Sequence, residues 1–128
     1  MTDSARRFLL ERHYPDHVVE GGLERLLHQW ERLAESVAQG EVQYQDDYLN
    51  DMDGRAILEE LLQHVEAAER ADARRRLAIA DARVRTQLIP TSSCIWGEEN
   101  GRKHGYSRER DWWYYHRPRV VDDTWRDR

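Results

Sequence analysis

The chain contains a single cysteine, Cys94, in 128 residues, so no disulfide can form within it. One unpaired thiol fits a reducing compartment, and a cytoplasmic protein is expected. Long apolar runs are missing as well. None approaches the ~20 residues that a membrane-spanning helix requires, so no membrane partner is expected. Phe8-Leu9-Leu10, after the start Met1 to Arg7, is far shorter than the apolar core of a secretion signal. Zinc-ligand spacing is absent, because Cys94, His104 and His116 lie too far apart for a local pair and Pro15 separates His13 from His17. Gly97, Gly101 and Gly105 follow neither phosphate-loop nor dinucleotide-loop spacing. Nothing therefore assigns a catalytic residue, a metal or a cofactor. No internal repeat and no low-complexity tract is present.

What the chain has in quantity is charge. Charged residues make up 35%, the net charge is −5, and 39% apolar content still suffices for a core. The length suits one domain over 1–128, with a helical part at 1–89 and a loop-rich aromatic tail at 90–128 packed on it. An acidic balance argues against a nucleic-acid partner, whose usual footprint is basic. The tail does interleave arginines with aromatics, in a pattern able to hold single strands. From Glu98 onward, however, eight bases face seven acids, so internal pairing explains the pattern better.

Periodicity sets out the helices. Ser4 to His13 forms a short one that Pro15 stops. Leu23, Leu26, Trp30, Leu33 and Val37 share one stripe of a second helix that starts near Gly21-Gly22 and ends at Gly40, with Trp30 as a core anchor. Glu66 to Leu88 is a third. Its stripe of Ala73, Leu77, Ala80, Val84 and Leu88 is ringed by arginines, with Asp72, Glu69 and Asp81 as their acid partners. After Pro90 helical periodicity disappears. Ser107 to Asp111 reads as a single capped turn, Trp112 to His116 as extended, and Cys94 as a buried, inert thiol. The expected fold is all-α: an antiparallel bundle of three or four main helices, capped by an irregular aromatic-rich C-terminal segment.

The most unusual stretch lies between. From Glu41 to Glu69, nine acids face one base, Arg55. Tyr48, Leu49, Met52 and Ala56 define one helical face; Ile57, Leu58, Leu61, Leu62 and Val65 define a nearly opposite one. One unbroken helix could bury both only by running through the middle of the core. A break at Asp53-Gly54, a pair favoured in turns, is therefore expected. The acids do not form a calcium loop, because Leu49 stands where the first carboxylate ligand belongs. Asp46, Asn50 and Asp53 share a face, with Asp47 and Asp51 beside them. They serve either as an outward acidic ridge that steers a basic partner or as internal braces.

Three segments, Tyr48-Leu49-Asn50-Asp51-Met52-Asp53, Cys94-Ile95-Trp96-Gly97 and Trp112-Trp113-Tyr114, resemble a set found in small bacterial proteins with no assigned activity. The resemblance spans roughly Gly21 to Pro118. It implies that the acidic stretch and the aromatic tail belong to one architectural plan, and it transfers no catalytic residue.

The expected function is non-enzymatic binding of another protein, a basic one by charge, in the manner of an immunity protein or antitoxin. The expected partner-binding residues are Asp46, Asp47, Asn50, Asp51 and Asp53, together with Trp112 and Trp113. Two alternatives stand beside it. One is a metal-dependent hydrolase built on the Asp46–Asp53 carboxylates, next to Tyr48 or His64. The other is a structural module that self-associates through Trp112 and Trp113.

Overall fold

The computed structural model describes residues 3 to 126, and they are mostly helical. Helix α1 spans Asp3–Glu11, α2 Asp16–Ala38, α3 Gln45–Leu61, α4 Ala67–Arg85 and α5 Glu98–His104. Short 3₁₀ turns occupy Leu62–His64 and Trp112–Tyr115, and strands β1 (Leu88–Pro90) and β2 (His116–Pro118) form one two-stranded antiparallel ribbon. Among the described residues no helix is long and apolar enough to cross a membrane.

Helix α2 begins earlier than the Gly21-Gly22 pair suggests. Val18 and Val19 donate backbone bonds to the Pro15 carbonyl at 2.9 and 3.1 Å, so a first turn forms directly after the proline. Gly22 then interrupts the helix with φ 57° and ψ −145°, a backbone region open almost only to glycine. Beyond that kink the predicted stripe is buried as a unit: Leu23, Leu26, Leu27, Trp30, Leu33, Ala34 and Val37. The end closes as expected, with the Glu41 amide returning to Ser36 O and the Gly40 amide to Val37 O, both at 3.1 Å.

Helix α3 departs from the sequence expectation, because it does not break at Asp53-Gly54. It runs unbroken from Gln45 to Leu61 and buries both apolar faces: Tyr48, Leu49 and Met52 on one, Leu58 and Leu61 on the other. The physical reason is cover on several sides. Helices α1 and α2, the 62–64 turn and the 112–115 turn all contact α3. Gly54 serves as a point of close approach, since a Cβ there would lie 3.0–3.1 Å from the Gln29 side-chain amide. A mid-helix glycine costs about 1 kcal/mol relative to alanine, which this packing offsets.

Helix α4 buries Ala73, Leu77, Ala80 and Val84 and packs on α2. Its arginines reach further than local pairing. Arg76 spans to Glu24 and Glu31 on α2, Arg74 to Glu59 on α3, and Arg70 donates to the carbonyls of Leu62 and Val65. Arg75 alone of these keeps to the expected local partner, Asp72. Exposed pairs of this kind each contribute about 0–1 kcal/mol, so they orient helices more than they stabilise them.

The C-terminal segment is more regular than its composition suggests. Leu88 pairs with Pro118, Ile89 with Arg117 and Pro90 with His116. The Thr91 and Ile95 amides continue the contact onto the carbonyls of Tyr115 and Tyr114. Trp112 to Tyr115, expected as extended, is a 3₁₀ turn that precedes the strand. Helix α5 follows Gly97, carries Glu98 and Glu99 in its first turn and Arg102, Lys103 and His104 in its last, as the helix dipole favours. Further on, Gln43 bridges to Val121, and Trp125 lies 5.5 Å from the ring of Tyr48.

Two predictions follow from these elements. Gly22→Ala forces a side chain into a glycine-only conformation and should destabilise the fold by about 1–3 kcal/mol, read as a fall of several degrees in Tm. Acid should also unfold the protein in a defined window. Hydrogen bonds from Arg76 hold Glu24 and Glu31 below the usual glutamate range. At Glu59 burial pushes upward, but bonds from Arg74 and Arg55 outweigh it and the carboxyl is also held low. A carboxyl depressed on folding contributes stability above its unfolded pKa and loses it as pH falls through the folded one. Thermal melts should therefore be nearly flat above about pH 5 and drop below about pH 4, with a shallower drop in Glu31→Gln/Glu59→Gln. A drop of equal slope in that variant would refute this assignment.

Candidate functional site

Asp53, Ala56, Ile57 and Glu60 recur at spacings of three and four, so α3 presents them along one stripe. That stripe forms the floor of a 770 Å³ cleft. Trp96, Asn100 and His104 wall it from the segment entering α5 and from α5 itself, Tyr106 and Tyr114 from the tail, and Tyr14 from the α1–α2 connector.

Asp53 is the centre of this arrangement. Its Oδ1 accepts two hydrogen bonds, from Trp96 Nε1 at 3.0 Å and from the Tyr114 hydroxyl at 2.7 Å. Tyr106 stacks on Tyr114 with centroids 4.3 Å apart and planes 23° from parallel. The Tyr115 hydroxyl donates to Tyr106 O and the Asn100 amide to Trp96 O, which fixes two of the rings from behind. Each of the three segments in the bacterial resemblance supplies one member of the Asp53–Trp96–Tyr114 set.

The charge around Asp53 is unbalanced. Glu59 is met by Arg55 and Arg74, Glu60 by Arg12 at 3.4 Å, and Arg110 by Asp111 at 3.0 Å. Asp53 has no cationic partner within 4 Å among the described residues; its donors are neutral, and Oδ2 makes no hydrogen bond there. The hydroxyls around it keep their protons. Burial raises the pKa of Tyr114, with Asp53 adding to it; burial, then Glu60 and Asp53, raise Tyr14; burial raises Tyr106. The cleft thus combines aromatic surfaces, neutral donors and one uncompensated carboxylate.

Directly behind it lies a cation that is fully met. Arg55 is 4% exposed. Its Nη2 and Nε bond Asp81 at 2.9 and 3.3 Å, and its Nη1 bonds Glu59 at 2.8 Å. The guanidinium carbon lies 4.6 Å from the Trp113 ring centre and 5.6 Å from that of Trp30, whose Nε1 also donates to Asp81 at 2.8 Å. Burial opposes the charge, yet Asp81 and Glu59 outweigh it and hold Arg55 above its ordinary pKa. Trp113 belongs to both arrangements, since it also lines the cleft.

The structure divides the expected site residues among four settings. Asp53 enters the cleft. Asp51 is half-buried against α2 and accepts from Gln29 Nε2 at 3.0 Å; burial raises its pKa, Gln29 opposes that, and Asp47 adds to it. Asp46, Asp47 and Asn50 are exposed. Asn50, Asp51 and Asp53 also line a shared 280 Å³ pocket with Gln29 and Arg32, and among the described residues no group of three or more His, Cys, Asp or Glu is placed to hold a metal. Trp112 and Trp113, expected at a partner surface, are core residues at 8% and 2% exposure. Trp112 packs edge-on against Trp30 under Arg85, so little of its ring is exposed. Burial likewise raises the thiol pKa of Cys94.

Sequence reasoning missed Tyr14, Glu60, Trp96, Tyr106 and Tyr114. For Trp96 and Tyr114 their place in the segments that carry the resemblance was the one available signal; for Tyr14 there was none. No family model matches the chain, and no curated protein or solved structure matches it significantly.

Removing either partner of the internal pair strands a buried charge. Arg55→Met and Asp81→Asn should each destabilise by about 3–5 kcal/mol, less for the partly exposed Asp81. The double variant should fall well short of their sum. Arg55→Lys keeps the charge but loses the planar fork, and should not rescue. Urea denaturation of the four variants checks this, and additive losses would show that the two side chains act independently.

Proposed function

We propose that this chain is a non-catalytic, cytoplasmic protein-binding module of the immunity-protein or antitoxin kind, whose cleft receives a basic side chain of its partner. In this reading α2, α3 and α4 serve as an antiparallel bundle, and the C-terminal segment caps it and walls the cleft. One observation carries the proposal: Asp53 is a half-buried carboxylate with neutral donors only, surrounded by aromatic rings. Burying a charge without a counter-charge is costly, and an arriving ammonium or guanidinium group would remove that penalty. The rings add cation–π attraction of about 0.5–2 kcal/mol per good contact. The exposed Asp46 and Asp47 extend the same sign of charge outward, which speeds encounter with a basic protein.

The test separates the cleft from the outer acids. Tagged wild-type protein, Asp53→Asn and Asp46→Asn/Asp47→Asn are each used to capture partners from the source cells, and affinity for the captured protein is then measured. The expected result is one stoichiometric basic partner whose affinity falls at least about tenfold in Asp53→Asn. In the outer variant the association rate should fall while dissociation is unchanged. Equal affinity of wild type and Asp53→Asn would overturn the assignment to the cleft, and absence of any basic partner would overturn the functional proposal.

A further inference from the structure

The opposite charge is concentrated on the other side of the Cys94–Trp96 segment. Trp96 faces the acidic cleft, whereas Cys94 and Ile95 belong to a separate 240 Å³ pocket that no aspartate or glutamate among the described residues lines. Its polar wall is the loop Thr91, Ser92 and Ser93, together with Arg117 on β2 and Arg126. Neither guanidinium has a carboxylate partner among the described residues. Arg126 spends only Nη1 on the backbone carbonyls of Asp123 and Trp125, and Arg117 makes no side-chain bond there.

The loop is held in a shape that leaves donors unused. Arg108 Nη2 reaches the carbonyls of Thr91 and Ser92 at 2.7 and 3.2 Å, and the Thr91 hydroxyl donates to Ser93 O. The carbonyls of 91–93 are thereby occupied. The amides of Ser92, Ser93 and Cys94, lying between the bonded amides of Thr91 and Ile95, have no acceptor among the described residues. The hydroxyls of Ser92 and Ser93 are unbonded there too. Backbone amides, hydroxyls and two guanidinium groups at one pocket, with no acid among the described residues to neutralise them, form a donor set for an anion.

From this we propose that the pocket between the 91–94 loop and Arg117 is an oxyanion site for a phosphate group. The donors outnumber what the two oxygens of a carboxylate can accept, and a tetrahedral anion with three or four oxygens uses more of them. The site does not depend on the cleft or on what the cleft binds.

Amide chemical shifts recorded while inorganic phosphate is titrated in at constant ionic strength, with chloride as the balancing ion, test the proposal. The expected result is saturable binding in the millimolar range or tighter, with the largest shifts at Ser92, Ser93 and Cys94. Arg117→Gln should weaken it at least about tenfold, the size of one charge-assisted hydrogen bond. Ser92→Ala, on the exposed part of the loop, provides a second variant that leaves the core untouched and should also weaken binding. O-phosphoserine run in parallel identifies the source: tighter binding than inorganic phosphate points to an organic phosphate ester, and equal binding to the free ion. Linear, unsaturating shifts, or equal affinity in wild type and both variants, would overturn the proposal.

Discussion

A guanidinium group in the interior must be met on every side, and Arg55 sets that requirement for this chain. Asp81 and Glu59 meet its charge through hydrogen bonds, and the rings of Trp113 and Trp30 lie against it. These groups come from α3, α4, the C-terminal turn and α2, so a single side chain ties together four separate stretches. An apolar residue in its place could pack as stably, but it would not dictate which acid or which ring must arrive. The charge supplies the specificity. With Trp113 placed over Arg55, the next residue, Tyr114, is set within reach of Asp53, and the cleft wall follows.

The brace and the cleft use the same ingredients with one difference. Each sets carboxylate oxygens among aromatic rings beside α3, and Trp113 is common to both. In the interior the cation is part of the chain. In the cleft two neutral donors hold Asp53 in place and no cation among the described residues completes it. In the reading proposed above, a carboxylate already oriented by two hydrogen bonds would lose little freedom when a ligand arrives, which is the advantage of preorganisation in binding.

How much of this could be read from residues alone varies with the range of the interactions. Leu23 to Val37 and Ala73 to Val84 each have a single apolar stripe, and their local period was enough. Helix α3 defeats that logic because it is apolar on two sides, a pattern that local reasoning resolves by inserting a break at Gly54. Its continuity depends on cover from α1, α2 and the tail. Arg55 stood out as the only base among nine acids, but its burial rests on an aspartate 26 residues away. Asp53 was among the expected site residues, although its partners lie 43 and 61 residues further on. The two adjacent tryptophans suggested a sticky surface and proved to be interior.

Those separations bear on the order in which the molecule can come into being. During synthesis Asp53 and Arg55 emerge long before Asp81, and longer still before Trp96, Trp113 and Tyr114. A nascent chain that has only reached α4 can pair Arg55 with Asp81, yet it has no ring to lay across Trp30's partner and no donor for Asp53. The cleft and the surroundings of Arg55 can therefore be completed only once the last quarter of the chain is present. A cell that halts translation early would release a product with helices but no cleft.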